Sequence, residues 1–169
     1  MAPNLQRSWA KRANTPIVKV PTQKKKISAI AAVAMTNRGR RKNVFFRLHP
    51  QKNIKAQQFL EFLVQLRQAY KKQTLLIVWD NFRGHKAKIV ENYASKHRIH
   101  IEYLPPYAPE LNPVEAIWGY LKNHALSNYV PDSLEQLRSR SRAELIQLKK
   151  RKSLLDGVTR LSPLMKILS

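Results

Sequence analysis

The run Leu75-Leu76-Ile77-Val78-Trp79, halting at Asp80, constrains this chain more than any other feature. Branched and aromatic apolar residues ended by Asp-Asn read as a buried strand that emerges at a sheet edge. Downstream, Asn112-Pro113-Val114-Glu115 carries the marks of a helix start, with Asn as cap and Pro at the first helical position. A carboxylate at a strand end and another at a helix start are a common way to hold a divalent metal. Asp80 and Glu115, with 34 residues between them, are therefore candidate metal ligands and catalytic residues. Each also has a plainer reading. A strand-terminal Asp makes Asx turns, and a Glu three positions after the cap suits a capping box.

The neighbouring segments fit a strand of this kind. Phe59, Leu60, Leu63, Leu66 and Tyr70 recur at spacings of three and four, which predicts an amphipathic helix over 54–70. A second helix is expected over about 86–96, with Ile89, Val90 and Tyr93 inward, and a short strand over 100–103. Pro105-Pro106-Tyr107-Ala108-Pro109 reads as a rigid extended connector. In the helix opening at Pro113, Val114, Ile117, Trp118 and Leu121 form the apolar face. Upstream, Ile27–Met35 and Val44–Leu48 are strand candidates, joined by the turn signal Asn37-Arg38-Gly39-Arg40 and closed by Pro50. Ile17–Val20 is a further short edge-strand candidate. A last helix starts at Asp132 or Ser133, with Glu135 completing a capping box, and runs to about Lys152. Residues 153–169 read as a weakly structured tail. Helices interleaved with strands predict a mixed α/β sheet. Three segments follow: a basic connecting stretch over 1–26, a core over 27–128, and a basic C-terminal helix and tail over 129–169.

Charge narrows the partner. Thirty-two Lys and Arg against 10 Asp and Glu give a formal net charge of +22, which implies a polyanion, nucleic acid above all. Lys24, Lys25, Lys26, Arg38, Arg40, Arg41, Lys149, Lys150, Arg151 and Lys152 form the densest clusters and are candidate phosphate contacts. The absence of cysteine excludes disulfides and thiolate zinc sites. Residues 1–15 lack an apolar signal core, and Ile27–Met35 is too short to span a bilayer. The expected setting is cytoplasmic and nucleoid-associated, without membrane.

The sequence Asp80-Asn81 with His85, followed by Tyr103-Leu104-Pro105-Pro106-Tyr107-Ala108-Pro109-Glu110-Leu111-Asn112-Pro113-Val114-Glu115-Ala116-Ile117-Trp118, resembles the catalytic domain of mariner-superfamily DDE transposases, and their bacterial insertion-sequence branch most closely. The interval between Asp80 and Glu115 matches that family's spacing between its second and third catalytic acids. The resemblance implies an RNase H-like fold, a mixed sheet flanked by helices. It further implies two Mg²⁺ or Mn²⁺ ions held by three carboxylates, and metal-dependent strand cleavage and strand transfer with insertion at a TA dinucleotide. Element ends and target DNA would be the partners, with a homodimer in a transpososome. Asp80 and Glu115 would be the second and third acids. Asn81 and His85 would be accessory, His85 approaching a phosphate or a metal-bound water; its plainer reading is a turn-stabilising or solvent-facing histidine. Glu110 is read as surface.

The departure from the family lies at the first acid. In the family it sits on the central strand, just ahead of the segment that Arg7-Ser8-Trp9-Ala10 and Thr15-Pro16 resemble. Here no Asp or Glu occurs over residues 1–60, and Glu61 falls within a predicted helix. The expectation is a truncated or frameshift-separated C-terminal fragment, lacking the first Asp and its central strand and inactive alone. The alternative is a non-catalytic basic DNA-binding protein. A structural RNA-binding protein would explain the charge but not the pattern from Asp80 to Glu115.

Overall fold

The computed structural model describes Trp9, Lys11 and residues 26–36, 42–51 and 53–168. The expected strand Ile17–Val20, the hairpin turn 37–40, the family-like segment around Arg7, and Lys24, Lys25, Arg38, Arg40 and Arg41 lie outside or almost wholly outside that set. Strands β1 (Ile27–Met35) and β2 (Lys42–Pro50) pair antiparallel, Ile27 opposite Pro50 and Met35 opposite Lys42. Alternation gives this ribbon two apolar faces. Ile30, Ala32, Ala34 and Phe45 turn one way, while Val33, Val44, Phe46 and Leu48 turn the other.

Helix α1 (Ala56–Ala69) covers the first face with Phe59, Phe62, Leu63 and Leu66. β3 (Leu75–Trp79) and β4 (Ile99–Tyr103) pair in parallel, joined by α2 (Lys88–Lys96), and press Leu75, Ile77, Ile99 and Ile101 into the same cluster. The crossover helix is what a parallel pair requires. The other ribbon face is covered by α3 (Pro113–Tyr120), α4 (Leu134–Lys150) and α5 (Lys152–Thr159), through Ile117, Leu145, Leu148 and Leu155.

The α/β class and the order of elements agree with the sequence reading. Among the described residues, however, the four strands form two separate two-stranded sheets, β1–β2 and β3–β4. The expected burial of the 75–79 run holds on one face alone. Leu76 is 65% exposed and Val78 41%, because no described helix covers that side. Of the residues expected inward on α2, Val90 is buried and Tyr93 packs against the same cluster, but Ile89 is 45% exposed and Ala94 is buried in its place.

The C-terminal segment corrects the reading of 153–169 as a weakly structured tail. It forms α5 and α6 (Pro163–Ile167) and buries Leu155, Val158 and Met165. α4 ends at Lys150, two residues before its expected end, and Arg151 breaks it from α5. The start of α4 departs from the expected capping box in one partner. Ser133 Oγ accepts from Gln136 N at 3.0 Å, and Gln136, not Glu135, reaches back to Asp132 N at 2.8 Å. Glu135 pairs with Arg138. No helix among the described residues is long and apolar enough to cross a membrane.

Candidate active site

Asp80 follows the last residue of β3, and the ladder continues just past it, with Leu104 N donating to Trp79 O at 2.8 Å. Asn81 Nδ2 donates to Leu104 O at 2.6 Å, and Lys86 Nζ donates to Asn81 Oδ1 at 2.9 Å while lying 4.8 Å from the Tyr103 ring centre. The amide of Asn81 therefore sutures the ends of β3 and β4, leaving Asp80 on a fixed platform.

The Asx turn is present: Phe82 N donates to Asp80 Oδ1 at 3.1 Å. Phe82 leads into the 3₁₀ turn Arg83–Lys86, which carries His85 inward. The imidazole is 7% exposed, stacked on Trp79 at 4.1 Å and 2°, with Phe59 edge-on at 4.3 Å. His85 Nδ1 lies 3.0 Å from Asp80 O and 3.2 Å from Asp80 Oδ1. The solvent-facing reading of His85 is thus excluded, and the ring is sequestered beneath the carboxylate. The hydrogen bond from His85 holds the Asp80 carboxyl below its usual range, outweighing the opposing effect of burial, with help from the Phe82 N–H. Asp80 itself stays half-exposed.

Glu115 reaches the same cleft by another route. Pro105 and Pro106 stiffen the connector, Tyr107 turns it through φ 60° with its side chain fully exposed, and Pro109–Leu111 form a 3₁₀ turn. A left-handed backbone is uncommon for a tyrosine and has to be held by its neighbours. Asn112 caps α3 as expected, accepting from Val114 N at 3.0 Å. The capping-box reading of Glu115 is not realised, since the Asn112 N–H donates to Pro109 O at 3.0 Å. Ser162 Oγ donates to Leu111 O at 2.7 Å, so α6 anchors the turn ahead of α3. The sequence carries no sign of that contact, which spans 51 positions.

Asp80, Asn81, Asn112 and Glu115, with the 104–109 connector, line one cleft of about 220 Å³. Two carboxylates opening on one cleft fit a Mg²⁺ ion, which takes one or two carboxylates and completes its octahedron with water and phosphate oxygens. They fit a bridged pair of ions less well. No group of three or more His, Cys, Asp or Glu side chains is placed to hold a metal among the described residues. Asp156 is not a third ligand, being paired to Lys42 Nζ at 3.0 Å. Glu110 is exposed, as expected, and Trp118 is half-buried on the second core cluster. Of the described basic candidates, Lys26, Lys149, Lys150, Arg151 and Lys152 are all exposed, the last four where α4 meets α5.

The α/β order, with Asp80 at the end of one parallel strand and Glu115 on the helix after the next, is that of the RNase H-like class. The fold aligns with the Mos1 strand transfer complex at a TM-score of 0.67 and 18% identity, over 99% of this chain and 48% of that one. The catalytic domain of Mos1 mariner transposase aligns at 0.56 and 15%, over 84% of this chain and 79% of that one. A Shigella sonnei protein, the insertion element IS630 uncharacterized 39 kDa protein, is 27% identical over 86 residues. That match covers 50% of this chain and 25% of the relative, so the chain spans only part of the proteins it resembles. Residues 1–138 match the family model of the DDE superfamily endonucleases, and the chain belongs to that family.

Proposed function

We propose that this chain serves DNA transposition, as the part of a DDE catalytic domain that supplies the second and third acids for metal-dependent strand cleavage and strand transfer. The observation that carries this reading is the convergence of Asp80 and Glu115 on one cleft from opposite ends of the 80–115 segment. Asp80 and Glu115 would hold Mg²⁺ or Mn²⁺. When bound, such an ion would supply Lewis-acid chemistry at a phosphoryl oxygen and at an attacking water or 3′-hydroxyl. Solved Mos1 paired-end complexes contain Mn and Mg, in keeping with that choice. The role of the chain's own residues is to hold the carboxylates. Asn81 ties the strand ends, and Asn112 caps the helix that carries Glu115. Element-end and target DNA are the partners, gripped through phosphates by Lys26 and by Lys149–Lys152. A homodimer within a paired-end assembly is the working state.

The first acid, with the strand that carries it, would come from polypeptide outside these 169 residues. Two observations support this: no acid occurs over residues 1–60, and among the described residues the two sheets stand unjoined. Asp80 and Glu115 alone would hold a pair of ions poorly, so the 169-residue chain should not cleave DNA. The test is Mn²⁺-dependent nicking of element-end DNA by this chain and by a version extended upstream through a strand ending in Asp. The extended protein should cleave, Asp80→Asn and Glu115→Gln should abolish cleavage, and DNA binding should survive both changes. Cleavage by residues 1–169 alone, lost on Asp80→Asn, would overturn the missing-acid reading. DNA binding without cleavage by either version would favour a non-catalytic DNA-binding protein, to which the charge of +22 also points.

A further inference from the structure

We infer that His85 is a positioning residue for Asp80, its Nδ1–H shared between the Asp80 carbonyl and its carboxylate from inside an aromatic cage; this rests on the reading of Asp80 as a metal ligand. Both atoms within reach of Nδ1, Asp80 O at 3.0 Å and Asp80 Oδ1 at 3.2 Å, are oxygens that can only accept. Nδ1 therefore carries the proton. That fixes the tautomer and leaves the lone pair of the neutral ring on Nε2. The ring cannot turn away. Trp79 lies parallel to it at 4.1 Å, Phe59 stands edge-on at 4.3 Å, and Phe82 closes a third side at 5.7 Å.

Each part of the cage comes from a different element: Trp79 from β3, Phe59 from α1 and Phe82 from the turn after Asp80. The rotamer of the carboxylate is thereby set by the packing of the core. Phe82 N–H donates to Oδ1, and Nδ1 lies 3.2 Å from the same oxygen, so both local contacts fall on Oδ1 and leave Oδ2 for a cation in the cleft. Partners of this kind orient metal-binding groups elsewhere, and their loss typically costs about 10–100-fold in metal affinity.

The experiment is Mn²⁺ binding to the 169-residue chain, read as loss of the free-ion EPR signal at one fixed pH, with thermal melts and ¹⁵N NMR of the histidine rings. His85→Phe keeps the cage filled but removes the donor. It should melt near the wild type yet bind Mn²⁺ about tenfold or more weakly. His85→Asn places an amide N–H where Nδ1–H stood, so it should melt lower yet stay within about threefold in affinity. The wild-type ring should show the Nδ1–H tautomer. Wild-type affinity in His85→Phe, or an Nε2–H tautomer, would overturn the positioning role. Asp80→Ala is the separate control on the site: Mn²⁺ binding that it leaves unchanged would remove the metal-ligand reading, and the positioning role with it.

Discussion

At Gly84 an added β-carbon would lie 2.7 Å from one Phe59 ring atom and 2.8 Å from one of Phe82. Both rings touch His85, and Phe59 is buried, so it cannot yield without disturbing the cage, whereas Phe82 is half-exposed. Gly84→Ala should therefore destabilise the fold by about 1–3 kcal/mol, the usual cost of overpacking, as read by urea unfolding. A change below about 0.5 kcal/mol would mean that the cage is loose. At the other acid, Asn112→Ala removes the acceptor for Val114 N. It should cost about 1 kcal/mol and raise amide exchange in the first turn of α3, around Glu115. Asn112 and Pro113 were legible as a helix start because capping chemistry is local. The inward turn of His85 was not legible. It depends on Phe59, 26 positions earlier on another element, and a lone histidine after Asp-Asn looks the same whether it faces solvent or core.

Among elements, α5 and α6 show how a weak local signal becomes structure through packing. Neither is long enough to be stable alone. Each offers few apolar residues, and these find places in a core built by others: Leu155 and Val158 join β2, α3 and α4, and Met165 is buried nearer the C-terminus. Leu155→Ala should destabilise the protein by about 2–5 kcal/mol in chemical denaturation. A disordered tail would register almost nothing. The same segment reaches the site through Ser162, whose hydroxyl bonds Leu111 O in the turn before α3. Helix α1 behaved otherwise: its three-and-four spacing named Phe59, Leu63 and Leu66 among its buried side chains, because a long amphipathic period leaves one way to face a core.

For the whole molecule, the charge of +22 bears on the proposed encounter with DNA more than on the fold. Each cation that neutralises a phosphate releases counterions, so log affinity should fall with log salt at a slope of about −0.9 per contact. Lys149→Ala with Lys150→Ala should flatten that slope by about 2 if both side chains touch phosphate. An unchanged slope would assign these lysines to solvent, and Lys149 already lies 5.2 Å over the Phe45 ring. Binding should discriminate little among unrelated duplexes. The two separate sheets set a further expectation at this scale. β3–β4 is parallel yet open on one face, an arrangement that parallel strands seldom keep. If the proposed upstream strand completes the sheet, a version extended through it should melt higher than the 169-residue chain.

The sequence by itself determined the α/β order, the strand ending at Asp80, the capped helix carrying Glu115 and the basic character of the surface. These follow from periodicity, capping and charge, all written in residues close along the chain. It also carried the resemblance from which the family could be expected, through the Asp-Asn pattern and the Pro-rich run into Asn-Pro-Val-Glu. Tertiary structure alone decided that Asp80 and Glu115 open on one cleft, that His85 lies under its carboxylate, that Ser162 braces the turn before α3, and that the described strands stand in two sheets. Those outcomes depend on which distant side chains arrive at the same place, and local propensity holds no record of that.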